Sequence, residues 1–182
     1  EIIIVVGYKK NMIKDFLKNK YKNIKIRFVE QNNPRGTGDA VLKVESIIKG
    51  RFFMLMGDNI YSKEDIIKCG RWHSALLTAT VEDPENYGVI VEKSGFVDNM
   101  VEKPKEFISN LINAALYVFD VDIFEHAKKL KISQRGELEV VGAIKSYCKN
   151  KNLKLVESSD WFPVGNPIEL LTADNKFRDG KN

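Results

Sequence analysis

The sequence predicts an α/β fold with a mostly parallel mixed sheet flanked by helices, and three observations carry that prediction. The runs Ile2-Ile3-Ile4-Val5-Val6 and Phe52-Phe53-Met54-Leu55-Met56 are continuously apolar, as strands buried on both faces are. Segments with helical periodicity separate such runs. The first five elements therefore read β-α-β-α-β, an order that implies parallel strands joined by right-handed crossovers.

Strand 2–6 turns at Gly7, and Asn11 is the expected N-cap of an amphipathic helix with Ile13, Phe16 and Leu17 on one face. Strand 25–30 leads into the loop Gln31-Asn32-Asn33-Pro34-Arg35-Gly36, after which Thr37 is expected to cap a helix reaching about residue 48. Strand 52–56 follows, and Ser62 with Asp65 reads as a capping box opening a short helix. Segments 74–81 and 88–93 read as strands, and Ser94-Gly95 as the hairpin turn into strand 96–102. A strand over 113–120, helices over 121–130 and 137–149, a strand over 153–157 and a helix opening at Pro167 complete the chain. With no linker, repeat or low-complexity tract, residues 1–182 are expected to form one domain with an inserted antiparallel portion.

The 182 residues can bury one sizeable core, and 43% hydrophobic with 30% charged content is ordinary for a soluble globular protein. No apolar stretch is long enough to span a bilayer and no signal peptide is evident, so no membrane partner and a cytoplasmic location are expected. Cys69 and Cys148 lack metal-ligand spacing and read as packing residues. A net charge of +4 suits anionic substrates, but the lysines are scattered and do not cluster with aromatics, so no nucleic-acid partner is expected.

The chemistry starts at Gly57-Asp58-Asn59, where a buried strand delivers a carboxylate at its carboxyl end, the edge at which open α/β sheets bind ligands. A carboxylate there needs a cation or hydrogen-bond donors, and Mg²⁺ held between carboxylates and substrate phosphates is one solution. A plain turn after a strand is the bland reading of the same tripeptide.

Further motifs follow in a fixed order: Gln31 then Gly36-Thr37-Gly38-Asp39-Ala40, Gly57-Asp58-Asn59, Asn86-Tyr87-Gly88-Val89-Ile90, Glu102-Lys103-Pro104, and Asn113-Ala114-Ala115-Leu116-Tyr117-Val118-Phe119-Asp120. Together, and with Trp161 and Asn166-Pro167-Ile168-Glu169-Leu170-Leu171, they resemble the sugar-1-phosphate nucleotidylyltransferases, or nucleotide-sugar pyrophosphorylases, across essentially the whole chain. The resemblance implies a Rossmann-like sheet, Mg²⁺ as cofactor, and a nucleoside triphosphate and a sugar 1-phosphate as substrates, joined with release of pyrophosphate. It puts Gln31, Gly36 and Thr37 against the base, with a pyrimidine (dTTP or UTP) favoured by the amide of Gln31. It makes Asp58 the metal ligand, Lys103 the cation meeting the sugar phosphate, and Gly88, Glu102 and Asn113 contacts to the sugar, with Asp58 and Lys103 carrying the catalysis. The residue before proline is expected to be extended, which would set the direction of Lys103. Taken alone, Glu102 and Lys103 read as an exposed ion pair, and Tyr117, Phe119 and Trp161 as core packing.

The match departs from the family in three places. Relatives begin with a strand and a glycine-rich loop bearing an arginine and a lysine-proline motif; Glu1 opens directly into a strand, so the first βα unit is expected to be missing and the chain as written to be a poor catalyst. Pro163 stands where the family places a second metal-binding aspartate, leaving Asp160 or Asn166 as substitutes, although Asn166 before Pro167 also suits a helix cap. Ala115 stands where the family often has glycine. The alternatives are a non-catalytic nucleotide-binding or sugar-nucleotide-binding paralogue or regulatory subunit, and, well behind, a metal-dependent glycosyltransferase; homo-oligomerisation is left open.

Overall fold

The computed structural model describes residues 1–21 and 23–178. In chain order the elements run β1 (Ile2–Val6), α1 (Lys10–Lys20), β2 (Ile26–Glu30), α2 (Thr37–Leu42), β3 (Phe52–Leu55), β4 (Asn59–Tyr61) and α3 (Lys63–Gly70). There follow β5 (Ala75–Thr80), β6 (Gly88–Lys93), β7 (Phe96–Glu102), β8 (Leu111–Phe119), α4 (Ile123–Ala127), α5 (Val140–Cys148), β9 (Lys154–Glu157), β10 (Trp161–Pro163) and α6 (Pro167–Arg178). The chain divides into two compact units, one from Glu1–Gly50 with Val121–Tyr147, the other from Arg51–Asp120 with the chain from Cys148 onward.

In the first unit β1 and β2 pair in parallel, Ile2 opposite Ile26 and Val6 opposite Glu30, as their helical crossover requires. Helix α1 does not open at Asn11. Lys9 occupies the N-cap with φ 53°, and the Lys10 N–H reaches Gly7 O at 3.1 Å, so the tight turn after Gly7 sets the start. Lys10 and Lys14 both pair with Glu30, at 2.6 and 2.5 Å, which ties the helix to the end of β2. Leu130 is wedged between two glycines: a Cβ at Gly38 would lie 2.3 Å from one of its methyls, and a Cβ at Gly142 2.8 Å from the other. The absence of side chains at those positions is what lets α2 and α5 close on Leu130.

In the second unit a six-stranded sheet has the order β3-β8-β5-β9-β7-β6, and β4 pairs separately with β10. The α/β class and the mixed sheet are as expected, and β6, β7 and β8 form the antiparallel portion. Among the described residues parallel pairing is found for β1 with β2 and β5 with β9, whereas β3 runs antiparallel to β8. An apolar run reports burial and does not encode strand direction. Nor are β1 and β3 covered on both faces: Phe53 and Leu55 are 41% and 43% exposed and Ile2 46%, and β8 is the only described partner of β3. The core of this unit is built on Cys69, Ala75, Leu77, Ala114, Leu116, Val118 and Val156. Both cysteines are free, and burial pushes the Cys69 and Cys148 thiols up to about 12, as packing residues require. No described helix is long and apolar enough to cross a membrane.

Several local signals are realised as written. Ser62 Oγ accepts the Asp65 N–H at 3.0 Å, the cap half of the expected capping box, while the Asp65 side chain turns to Ser158 and Ser159 instead of back to Ser62; Ser94 and Gly95 both take positive φ (54° and 81°) in the hairpin turn. Asn166 Oδ1 accepts the N–H groups of Ile168 and Glu169, at 3.0 and 2.9 Å, at the start of α6.

Strand β8 bulges where its pairing with β5 slips: Leu76 faces Tyr117, but Thr78 faces Asn113. Ala115 sits in that bulge at φ +58°, a left-handed conformation that a Cβ makes costly. Its N–H donates to Asn113 Oδ1 at 2.9 Å, and its carbonyl accepts the Tyr61 hydroxyl at 2.8 Å and the Met56 N–H at 3.3 Å. Replacing Ala115 by glycine removes the steric cost and returns part of it as unfolded-state entropy. Ala115→Gly is therefore expected to stabilise the protein by about 0.5–1 kcal/mol, a rise of roughly 1–4 °C in Tm. A lower Tm would show that the bulge is not strained.

Candidate active site

Asp58 lies in the tight turn from β3 into β4, and its side chain is exposed. Two contacts fix it. Its carbonyl accepts the Val164 N–H at 2.8 Å, and its Oδ1 accepts from Asn59 Nδ2 at 2.8 Å. The Asn59 amide is itself locked, because its Oδ1 accepts the indole N–H of Trp161 at 2.8 Å. An indole N–H can only donate, so the oxygen of Asn59 must face it and the NH₂ must face Asp58. The register of β4 with β10 makes this reach possible, with Asn59 opposite Pro163 and Tyr61 opposite Trp161. Trp161 packs against the core and meets Tyr87 edge-on at 5.9 Å between ring centroids, in keeping with its reading as a packing residue.

The segment entering β10 is held by Asp65, a fully buried carboxylate on α3. Ser159 donates to it through its hydroxyl at 2.6 Å and its N–H at 2.9 Å, Ser158 through its hydroxyl at 2.8 Å, and Asp160 through its N–H at 3.3 Å. Burial alone would raise the pKa of Asp65; the serine and backbone donors outweigh it and hold the carboxyl at about 2.

A polar corner forms where β6, β7 and β8 meet. Gly88 faces Glu102 across the β6–β7 ladder, and a Cβ on Gly88 would lie 3.2 Å from Glu102 Oε2 and 3.6 Å from Asn113 Nδ2. Gly88, Glu102 and Asn113 are thus together, as expected for neighbouring contacts. Asn113 is committed on both sides, donating from Nδ2 to the Tyr117 hydroxyl at 2.6 Å and accepting the Ala115 N–H on Oδ1. Tyr117 and Phe119 are buried and stacked 5.2 Å apart, which places both in the core. Lys103 is exposed but not extended: φ is +43°, because its N–H closes onto Tyr87 O at 2.9 Å and turns the chain sharply out of β7. That hydrogen bond overrides the preference of a residue preceding proline.

The two substitutes for a second metal carboxylate are otherwise engaged. Asp160 pairs with Lys176 at 2.5 Å, and the side-chain oxygen of Asn166 is spent on the cap of α6. Among the described residues no three His, Cys, Asp or Glu side chains gather as a metal cluster. Asp58 is therefore a single carboxylate donor, which suits a hard cation whose other ligands are water and phosphate oxygens. A concavity lined by Lys68, Arg71, Trp72, Leu155, Val156 and Glu157 contains none of the expected residues.

In the first unit the expected base-side residues also converge. Gln31 follows β2 and donates from Nε2 to Gly36 O at 3.2 Å and to Asp39 Oδ2 at 2.7 Å. Gly36 has φ +108°, and a Cβ there would lie 2.7 Å from Leu138 O, so both conformation and space demand glycine. Thr37 does cap a helix, though not its own: α2 opens after Gly36 and ends at Leu42, while the Thr37 hydroxyl accepts the Val140 N–H at 3.0 Å at the start of α5. Asp39, 1% exposed, takes Arg35 Nη2 on its Oδ1 at 2.6 Å. Its burial opposes ionisation, but the Gln31 and Arg35 donors prevail and hold the carboxyl below its ordinary range. Sequence reasoning gave no part in the site to Asn59, Asp65 or Asp39. Asp65 was visible only as a helix cap, and nothing local signals that its side chain meets residues more than ninety positions later.

Fold and side chains together define an α/β protein with an acidic residue at a strand end and a cluster of polar groups in each unit. The chain belongs to the nucleotidyl transferase family, which it matches over residues 1–180. It is 38% identical over 183 residues to the bifunctional protein GlmU of Methanocaldococcus jannaschii, a match covering 100% of this chain and 44% of that protein. It is 29% identical over 189 residues to the UTP–glucose-1-phosphate uridylyltransferase AglF of Haloferax volcanii, covering 98% and 78%. Among solved structures it is similar to a protein described as a glucose-1-phosphate thymidylyltransferase from Bacillus anthracis in complex with a sucrose. That likeness has a TM-score of 0.84 at 27% identity and covers 100% of this chain and 78% of the other. The chain spans less than half the length of the GlmU relative.

The donors around Asp65 set a pH dependence with a definite sign. Its folded pKa lies below that of an unfolded carboxylate, so its stabilisation is complete above about pH 4 and is lost as pH falls toward about 2. Asp65→Asn, which turns an NH₂ toward a backbone N–H, of Ser159 or of Asp160, that can only donate, is expected to cost about 2–4 kcal/mol at pH 7. Urea titrations from pH 6 to pH 2 should show a flatter stability profile for the variant over the acid end. Parallel profiles would remove Asp65 from this role.

Proposed function

We propose that the protein is a sugar-1-phosphate nucleotidylyltransferase that joins a nucleoside triphosphate, UTP or dTTP, to glucose 1-phosphate or a related sugar phosphate, with Mg²⁺ as cofactor. Family membership supports the reaction class, and the uridylyl and thymidylyl descriptions of AglF and of the Bacillus anthracis protein support the pyrimidine. The observation that carries the reading is the Asp58 carboxylate, exposed at the end of a sheet strand with one oxygen tied to Asn59 and the orientation of that tie enforced by Trp161.

In the reaction a phosphate oxygen of the sugar phosphate bonds to the α-phosphorus, and the bond from that phosphorus to the departing pyrophosphate breaks. No protein nucleophile takes part, and the contribution of the chain is placement and charge. Asp58 would hold the ion, which when bound supplies positive charge beside the α-phosphate. Lys103 would bring its ammonium to the sugar phosphate. Glu102 would accept from sugar hydroxyls, Asn113 would add its remaining hydrogen-bonding capacity, and Gly88 would let the sugar approach the backbone. On the base side Gln31, Gly36 and Thr37 would receive the nucleobase.

A second reading, a non-catalytic nucleotide-binding relative, draws support from Pro163 and from the engagement of Asp160 and Asn166 elsewhere. The two readings separate in one experiment on the full-length protein. Pyrophosphate release from UTP or dTTP with glucose 1-phosphate and Mg²⁺ is expected, and Asp58→Asn is expected to lower kcat/KM by at least about 100-fold with Tm unchanged. Wild-type protein that binds nucleotide without turnover would establish the second reading. Activity that survives Asp58→Asn would refute the metal role.

A further inference from the structure

Gln31 is an amide with a donor end and an acceptor end, and the first unit leaves it no choice of orientation. Asp39 is 1% exposed, with Oδ1 taken by Arg35 at 2.6 Å and Oδ2 by Gln31 at 2.7 Å. A carboxylate offers only acceptors, so the NH₂ of Gln31 must point at Asp39. The second hydrogen of that NH₂ goes to Gly36 O at 3.2 Å, a carbonyl held in place by a φ that only glycine adopts comfortably. Both amide hydrogens are therefore spent inside the protein. What Gln31 has left to present is Oε1, an acceptor.

We propose that Asp39 determines nucleotide specificity: by fixing the polarity of the Gln31 amide it leaves a carbonyl facing the nucleobase, which selects bases carrying a ring N–H. This rests on the placement of Gln31 against the base given above. Uracil and thymine offer N3–H, and guanine offers N1–H. Cytosine N3 and adenine N1 are acceptors and would set lone pair against lone pair. A buried acceptor left facing another acceptor loses its hydrogen bond and keeps its desolvation cost, which is why sites built around one polar contact discriminate strongly. Asp39 touches no substrate in this scheme. It acts only through Gln31 and is a positioning residue.

The test is equilibrium binding of UTP, dTTP, GTP, CTP and ATP to the full-length protein by titration calorimetry with Mg²⁺ present, for wild type and Asp39→Asn. Wild type is expected to bind at least one base with a ring N–H at least about tenfold tighter than both CTP and ATP. In Asp39→Asn the new amide can donate to Gln31 Oε1 and let that side chain turn over, so the preference is expected to shrink several-fold while the retained nucleotide still binds. A residue needed only for folding would weaken all five nucleotides together and leave their ratios unchanged. Preference for CTP or ATP by the wild type, binding of none of the five, or unchanged ratios in a folded variant would each overturn the inference. If Asp39→Asn does not fold, UTP and its N3-methyl analogue bound to wild type decide the matter: loss of binding on methylation supports the ring N–H contact, and equal binding overturns it. Pyrophosphate release is read separately. Selective binding without turnover would leave the assignment of Asp39 standing and remove the catalytic reading, whereas turnover without selectivity would do the reverse.

Discussion

A carboxylate cannot be buried at position 65 without donors, and the donors it finds belong to a segment more than ninety residues downstream. This interaction is the one on which the geometry around Asp58 depends. Ser158, Ser159 and Asp160 close over Asp65, the chain leaves that turn directly into β10, and β10 pairs with β4 in the register that brings the Trp161 indole to Asn59 and the Val164 N–H to Asp58. Each hydrogen bond in the relay is directional, because the indole can only donate and the carboxylate can only accept. The amide between them has a single orientation that satisfies both. The same logic operates in the other unit, where Asp39 imposes one orientation on Gln31. Two polar side chains in this protein are thus aimed by partners that permit no alternative.

Part of the backbone strain lies beside the polar corner of Gly88, Glu102 and Asn113, the rest at the turns of Lys9 and Ser94. Lys103 and Ala115 both adopt left-handed backbone conformations without being glycine, and each is held there by hydrogen bonds from neighbouring elements: Lys103 by Tyr87, Ala115 by Asn113, Tyr61 and Met56. Such residues cost of order 1–3 kcal/mol each and persist where the surroundings over-determine them. Here the surroundings are the polar corner of Gly88, Glu102 and Asn113 and the bulge that lets β8 bend past it.

Much of this was legible in the sequence, and what was not has physical causes. Element types came through because the apolar periodicity and the caps are local: Ser62, Asn166 and the Ser94-Gly95 turn behave as their residue types dictate. Strand direction did not come through, because the apolar stretch 52–56 would look the same beside a parallel or an antiparallel neighbour. The short strands β4 and β10 escaped because three residues carry no readable period. Among candidate site residues, Asp58 is legible from its place at the end of an apolar strand, and Gly88, Glu102, Lys103, Asn113, Gln31, Gly36 and Thr37 from motif order. The residues that aim them, Asn59, Asp65 and Asp39, are defined by partners distant in sequence or by the direction of one hydrogen bond. Thr37 shows the limit well: its type announces a cap, and only the fold reveals that the capped helix begins at Val140.

In the proposed reaction Asp58, aimed by Asn59 and Trp161, would hold a divalent ion with the carboxylate oxygen that Asn59 does not take. A crystal structure of the full-length protein grown with Mg²⁺ and a non-hydrolysable nucleoside triphosphate tests it most directly. The expected result is density for an ion held by Asp58 Oδ2, with Oδ1 still accepting from Asn59. An ion seated on other side chains, with Asp58 pointing away into solvent, would contradict it.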